Sequence, residues 1–178
     1  MNEKVIIKRR AELELKIESL AYGGMGVAKK DDFVIFVKGA IPGQIVNARV
    51  YKKKKGYAEA QTLNIVSESP NAVEPKCNHF YICSKIQNLS YKEQLKEKGN
   101  QVEDAFQRLG GFKEFKLKKV IEGDPTFYYR NKMEFTFSPH RWVLESEPEG
   151  VDKSFALGLH IPGRYDKILG INNCYIQP

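Results

Sequence analysis

Three cysteines, a run of four lysines and two cationic motifs are the residues of this 178-residue sequence with chemistry to offer. Cys77 and Cys83 stand six positions apart, with His79, Phe80 and Tyr81 between them, and Cys174 follows far downstream. Such spacing looks like the start of a metal or cluster knuckle, yet a structural zinc and an iron–sulfur cluster both call for four ligands. Lys52, Lys53, Lys54 and Lys55 form a basic run flanked by Tyr51 and Tyr57. Ammonium groups meet phosphates, and phenol rings offer faces to unstacked bases. Arg130 and Lys132, in YYRNKMEF, are two apart, so strand alternation puts both on one face. Arg164 follows the Pro162–Gly163 turn and is a candidate for a phosphate backbone, although turn chemistry alone explains the Pro-Gly pair.

These groups need elements to hold them. AELELKIES (11–19) alternates strictly, with Leu13, Leu15 and Ile17 on one side, the pattern of a half-buried strand. YGGMGVA (22–28) reads as a glycine-rich bend. FVIFVK (33–38) reads as a strand, GAIPGQ as a turn, and QIVNARVYK as a second alternating strand with Ile45, Ala48 and Val50 as candidate inward residues. The lysine run is then a loop, and GYAEAQTLNIV (56–66) a last strand. Short strands with glycine at the bends and no helix predict an all-β, OB-like barrel of five strands over residues 1–67, with the lysines projecting from one rim. SESPNAVEPK (67–76) reads as a linker. Ser90 and Glu93 make a capping-box signature for a helix over 91–109, whose Tyr91, Leu95, Val102, Phe106 and Leu109 are candidate core. Strands are expected over 115–123, 127–139, 154–161 and 167–172, with a surface loop in 141–153. Residues 77–178 thus predict an α+β domain with an antiparallel sheet.

The net charge is +7, and it is unevenly spread. Residues 1–66 hold 13 Lys and Arg against 7 Asp and Glu; residues 67–178 hold 16 against 15. A basic module joined to a near-neutral one points to a polyanion partner, nucleic acid first. No apolar run approaches the ~20 residues that span a bilayer. Three cysteines do not make a disulfide scaffold. A cytoplasmic, monomeric protein without membrane or DNA partners is the expectation.

The order of motifs is more specific than any one of them. YGGMGVAKKDDFVIFVKGAIPGQIVNARVYKKKKGYAEA resembles a TRAM domain, an OB-like RNA-binding barrel. SPNAVEPKCNHFYIC, NLSYKEQLKEKGNQVEDAFQRLGG, YYRNKMEFTF and ALGLHIPGRYDKILGINNCYIQP continue the match. Together they resemble the N-terminal half of RNA uracil-5-methyltransferases, the 23S ribosomal RNA type in particular. The resemblance implies structured RNA, ribosomal RNA foremost, as partner. It implies S-adenosylmethionine bound by a Rossmann-like domain that this chain does not contain. No catalytic residue is then expected here, and the chain alone is expected to be inactive. Transfer RNA as substrate and a stand-alone RNA-binding or chaperone module are the alternatives. Lys52–Lys55, Tyr57, Arg130, Lys132 and Arg164 are the expected RNA contacts, Arg130 and Lys132 near a flipped-out base.

The resemblance also implies a [4Fe–4S] cluster held by four cysteines, roughly Cys-x5-Cys-Gly-Gly-Cys with a late fourth. Cys77, Cys83 and Cys174 match three of these positions; Ser84, Lys85 and Ile86 follow Cys83 where the family has its third cysteine. Three readings stay open: a vestigial site with thiols packed as small hydrophobes, a three-cysteine cluster with a labile fourth position, and a zinc completed by His79 or water.

Overall fold

Alternation along ELELK places Leu15 inside and Glu12, Glu14 and Lys16 in solvent. The computed structural model, which describes residues 7–144 and 147–178, builds its first sheet on that periodicity. Strands β1 (Glu12–Lys16), β2 (Ser19–Leu20), β3 (Gly26–Lys30), β4 (Phe33–Lys38), β5 (Ile45–Lys53) and β6 (Tyr57–Ser67) lie in the order β1-β5-β6-β4-β3-β2. All neighbours are antiparallel except β4 and β6, which run parallel. The sheet curls until its ends meet: the Glu18 N–H donates to the Val27 carbonyl at 2.8 Å. Gly26 sits at this closure. A Cβ there would lie 2.8 Å from Ile17 Cγ2 and 3.0 Å from the Ala40 carbonyl, which explains the missing side chain. Ile35, Val37, Val46, Ala48, Val50, Ala58 and Ala60 fill the interior and are fully shielded from water.

The barrel therefore has six strands, not five. The segment read as a bend supplies β3, and β2 is only two residues long. On β5 the inward row is Val46, Ala48 and Val50, with Ile45 only half-buried. Alternation counted back from Val50 and Ala48 reaches Val46, so Ile45 falls on the other side of the strand.

Helix α1 (Phe80–Cys83) is one turn, and α2 spans Tyr91–Asp104 before a π-helical turn over Ala105–Leu109. Ser90 occupies the N-cap, but its side chain makes no capping bond, and Glu93 pairs with Lys96 instead of closing the box. Of the apolar residues expected as core, Val102, Phe106 and Leu109 are exposed, while Tyr91 and Leu95 are half-buried. The helix is buried on a different edge, at Glu97 and Gly99. Glu97 accepts the Leu20 N–H at 2.7 Å, and Gln101 Nε2 donates to the Leu20 carbonyl at 3.2 Å. At Gly99 an added Cβ would lie 3.3 Å from Val120 and 3.4 Å from Leu117. Leu117 and Val120 thus lie over the helix, and residues 115–123, read as a strand, join no ladder.

Those contacts set the partition of the chain. One unit runs to Pro75 and resumes over Lys85–Glu122; the other comprises Lys76–Ser84 and Gly123–Pro178. Helix α2, expected in a second domain of residues 77–178, clusters with the barrel expected over 1–67.

The second unit holds the antiparallel sheet β7 (Thr136–Ser138), β8 (Ala156–Ile161) and β9 (Arg164–Gly170), in that order. Gly158 makes the β8–β9 approach possible, since a Cβ there would fall 1.7 Å from the Leu169 carbonyl oxygen. The long strand expected over 127–139 is realised only at Thr136–Ser138. Tyr128 adopts a left-handed backbone, φ 56°, which interrupts the extended geometry. Residues 128 and 130 donate instead to the carbonyls of Tyr175 and Ile176. Phe135 and Phe137 are exposed while Met133 is half-buried. In the 141–153 loop, Arg141 binds Glu147 and the Asp152 carbonyl; residues 145 and 146 lie outside the described residues.

Candidate nucleic-acid interface

The β5–β6 hairpin carries the lysine run, and its strands reach further into that run than a loop would. β5 continues through Lys53, and β6 begins at Tyr57, leaving only Lys54, Lys55 and Gly56 in the turn. The Lys54 N–H donates to the Tyr57 carbonyl at 2.8 Å and closes it. The four ammonium groups are therefore not equivalent. Lys52 Nζ donates to Glu59 Oε1 at 2.6 Å, whereas among the described residues Lys53, Lys54 and Lys55 have no carboxylate partner. The expected rim of four free lysines becomes three free and one paired.

Aromatic rings surround the paired one. Tyr57 packs edge-on against Phe36, ring centres 5.6 Å apart. Tyr51, 41% exposed, donates its hydroxyl to Glu59 Oε2 at 3.0 Å. Burial first, then the hydrogen bond and charge of Glu59, push the Tyr51 phenol up to about 12. The hydrogen bond from Lys52 leads in holding the Glu59 carboxyl below the usual carboxylate range, with Tyr51 and the charge of Lys54 contributing. Arg9 Nε donates to the Tyr51 carbonyl at 3.1 Å and brings a further cation to the tip. Glu59 and Arg9 went unnoticed in the sequence. Glu59 had a signal, standing two residues beyond Tyr57 and so on the same strand face; Arg9, outside any predicted strand, had none.

The other expected contacts lie in the second unit. Arg130 and Lys132 are both exposed and near one another, Arg130 Nε donating to the Lys132 carbonyl at 3.0 Å. Lys132 pairs with Glu134 at 3.3 Å, both side chains over four-fifths exposed. Tyr128 and Tyr129, also exposed, precede them. Arg164 is held by Asp166 through two bonds, 3.0 and 2.8 Å, and this pair holds the Asp166 carboxyl down to about 2.

Cys77, Cys83 and Cys174 come near enough in the second unit to sense one another. Burial chiefly pushes the Cys83 thiol up, and the charges of Cys77 and Cys174 add to it. Cys83 Sγ donates to the Phe80 carbonyl at 3.8 Å, and His79, buried, has its imidazole pushed down by desolvation. Among the described residues no group of three or more His, Cys, Asp or Glu side chains is arranged to hold a metal ion. A [4Fe–4S] cluster calls for four thiolates, and Cys77, Cys83 and Cys174 are three. The donor set does not fit a four-thiolate cluster. The neighbouring cavity, of about 990 Å³ and lined by Cys77, His79, Arg141 and Tyr175 among others, has its guanidinium already committed to Glu147 and the Asp152 carbonyl.

Residues 8–63 match the TRAM domain family. Over 170 residues the chain is 39% identical to an uncharacterized RNA methyltransferase of Porphyromonas gingivalis, covering 91% of this chain and 37% of that protein. It is 39% identical over 163 residues to an uncharacterized RNA methyltransferase of Bacteroides thetaiotaomicron, covering 89% of this chain and 36% of that one. A third, from Clostridium tetani, is 33% identical over 179 residues, covering 99% and 36%. The chain thus spans little more than a third of the length of these relatives.

Proposed function

We propose that this chain, whose TRAM domain and relatives support membership of an RNA methyltransferase family, grips RNA for a methyl transfer carried out elsewhere in a longer protein. One observation carries the reading. The TRAM barrel, OB-like in fold, concentrates the positive charge, and its hairpin tip carries three lysines without carboxylate partners among the described residues, beside Tyr51, Tyr57 and Phe36. Cations along a groove with aromatic faces between them are what a single-stranded nucleic acid requires. The cations track the phosphate chain, and the rings take bases regardless of sequence.

The finer reading is methylation of C5 of a uracil in ribosomal RNA, with S-adenosylmethionine supplying the methyl group. The sequence resemblance supports the uracil and ribosomal assignments, and the relatives' names support a methyltransferase. Arg130, Lys132 and Arg164 add cations from the second unit. By itself the chain retains RNA and leaves it unmodified.

Two measurements test this. The chain should bind an oligouridylate with an affinity that falls steeply as salt rises, and changing Lys53, Lys54 and Lys55 together to Glu should weaken binding and flatten the salt dependence. Equal binding by that variant removes the barrel from the account. In the host, deleting the gene should abolish a 5-methyluridine of ribosomal RNA. Loss from transfer RNA would reassign the substrate, and no loss from either would refute uracil C5 methylation.

A further inference from the structure

The ladder between β5 and β6 is irregular at one place near the tip. Val50 lies opposite Ala60 and Lys52 opposite Glu59, so Tyr51 is an extra residue between them, a β-bulge. In a regular strand Tyr51 and Lys52 would point to opposite faces. The bulge cancels that alternation. Val50 stays buried in the barrel, while Tyr51 and Lys52 both emerge on the outer side and both reach Glu59, one on each carboxylate oxygen. Bulges re-aim side chains in this way next to functional sites. Phe36 lies opposite Glu59 on the other flank, in register on β4, and packs on Tyr57. A single carboxylate thus stands in the middle of a basic, aromatic surface.

An acidic group there opposes any polyanion unless it does something the surface needs. Its geometry shows two effects. It tethers the Tyr51 hydroxyl, fixing a ring that is 41% exposed, and it ties back one ammonium of the four. We propose that Glu59 is a positioning residue: it holds Tyr51 as the stacking face for one unpaired base and keeps Lys52 off the phosphate chain, so that stacking, more than bare charge, selects single-stranded RNA. This rests on the RNA-binding reading above and extends it to the class of RNA retained.

Two substitutions separate the effects, read by fluorescence anisotropy with a labelled oligouridylate and an RNA duplex of matched length. Glu59→Gln keeps an acceptor for the Tyr51 hydroxyl but releases Lys52. Affinity for both RNAs should rise, and the single-strand salt slope should steepen by about 0.7, the value of one more phosphate contact. Glu59→Ala also frees the ring. Its affinity for the single strand should fall below that of Glu59→Gln, while the two variants bind duplex alike. Tyr51→Ala should cost the single strand about fivefold or more and leave duplex binding nearly unchanged. An unchanged salt slope in Glu59→Gln, equal single-strand binding by Glu59→Gln and Glu59→Ala, or wild-type preference for duplex each overturns the proposal while leaving RNA binding intact. Failure of the wild-type chain to bind either RNA overturns the functional reading beneath it.

Discussion

In the barrel, Ile35, Val37, Val46, Ala48, Val50, Ala58 and Ala60 are fully shielded from water; in the second unit, Phe137 and Tyr165 of the three-stranded sheet are 71% and 88% exposed, and Phe155, just before β8, is 61% exposed. The difference follows from topology. A sheet curled until Glu18 meets Val27 encloses one face of every strand, so small and β-branched residues suffice to fill it. The open three-stranded sheet buries Ala156, Ile168 and Leu169 but gives its large rings only partial cover, Phe137 against Phe155 and Tyr165 against His160.

Core truncation should break or sharpen that contrast most strongly. Ile35→Ala is expected to destabilise the barrel by about 2–5 kcal/mol in urea titrations, since a shielded side chain leaves a cavity. Phe155→Ala should stay within about 0.5 kcal/mol, as surface changes do. Similar losses at both positions would mean that the two units do not differ as described. The next effect tests how helix α2 is fastened to the barrel. Glu97→Ala leaves the buried Leu20 N–H without its acceptor and should cost about 1–3 kcal/mol, with Glu97→Gln far milder because an amide oxygen still accepts.

Titrations give smaller signals of opposite sign in the two units. In the barrel, Tyr51 should ionise near 12, followed by ultraviolet difference absorbance at alkaline pH. The folded value lies above the ordinary one near 10, so the protonated phenol stabilises fully below that pH, and the contribution is lost as pH climbs through about 12. A midpoint near 10 would contradict the Glu59 tether and the burial together. In the second unit, Asp166 should titrate near 2 by carboxyl NMR. There the folded value is depressed, so the contribution is present above the ordinary carboxylate value and fades as pH falls towards about 2. Both partners are exposed, so molar salt should move the Asp166 midpoint back upward and change stability least of all.

Period-2 alternation made the barrel legible. Leu13, Leu15 and Ile17 were readable as one inward row because nothing competes with burial in a closed sheet. The bulge at Tyr51 was not, since one inserted residue leaves no mark in composition and yet changes which neighbours share a face. In α2 the apolar residues Val102, Phe106 and Leu109 gave a convincing stripe, but a buried carboxylate and a glycine contact fixed the packing edge instead. The lysine run announced the tip; only the ladder register showed that Lys52 is spoken for. The hydrophobic runs at 115–123 and 127–139 carried strand propensity, yet of the two only Thr136–Ser138 found a partner strand, and propensity alone does not make a ladder.

The clasp between Glu97, Gln101 and Leu20 has a consequence for the behaviour of this chain in concentrated solution. β2 is two residues long and borders the sheet, the kind of margin that invites a foreign strand to add itself and begin templated aggregation. A carboxylate on the Leu20 amide and a carboxamide on its carbonyl occupy the very groups an intruder would have to use.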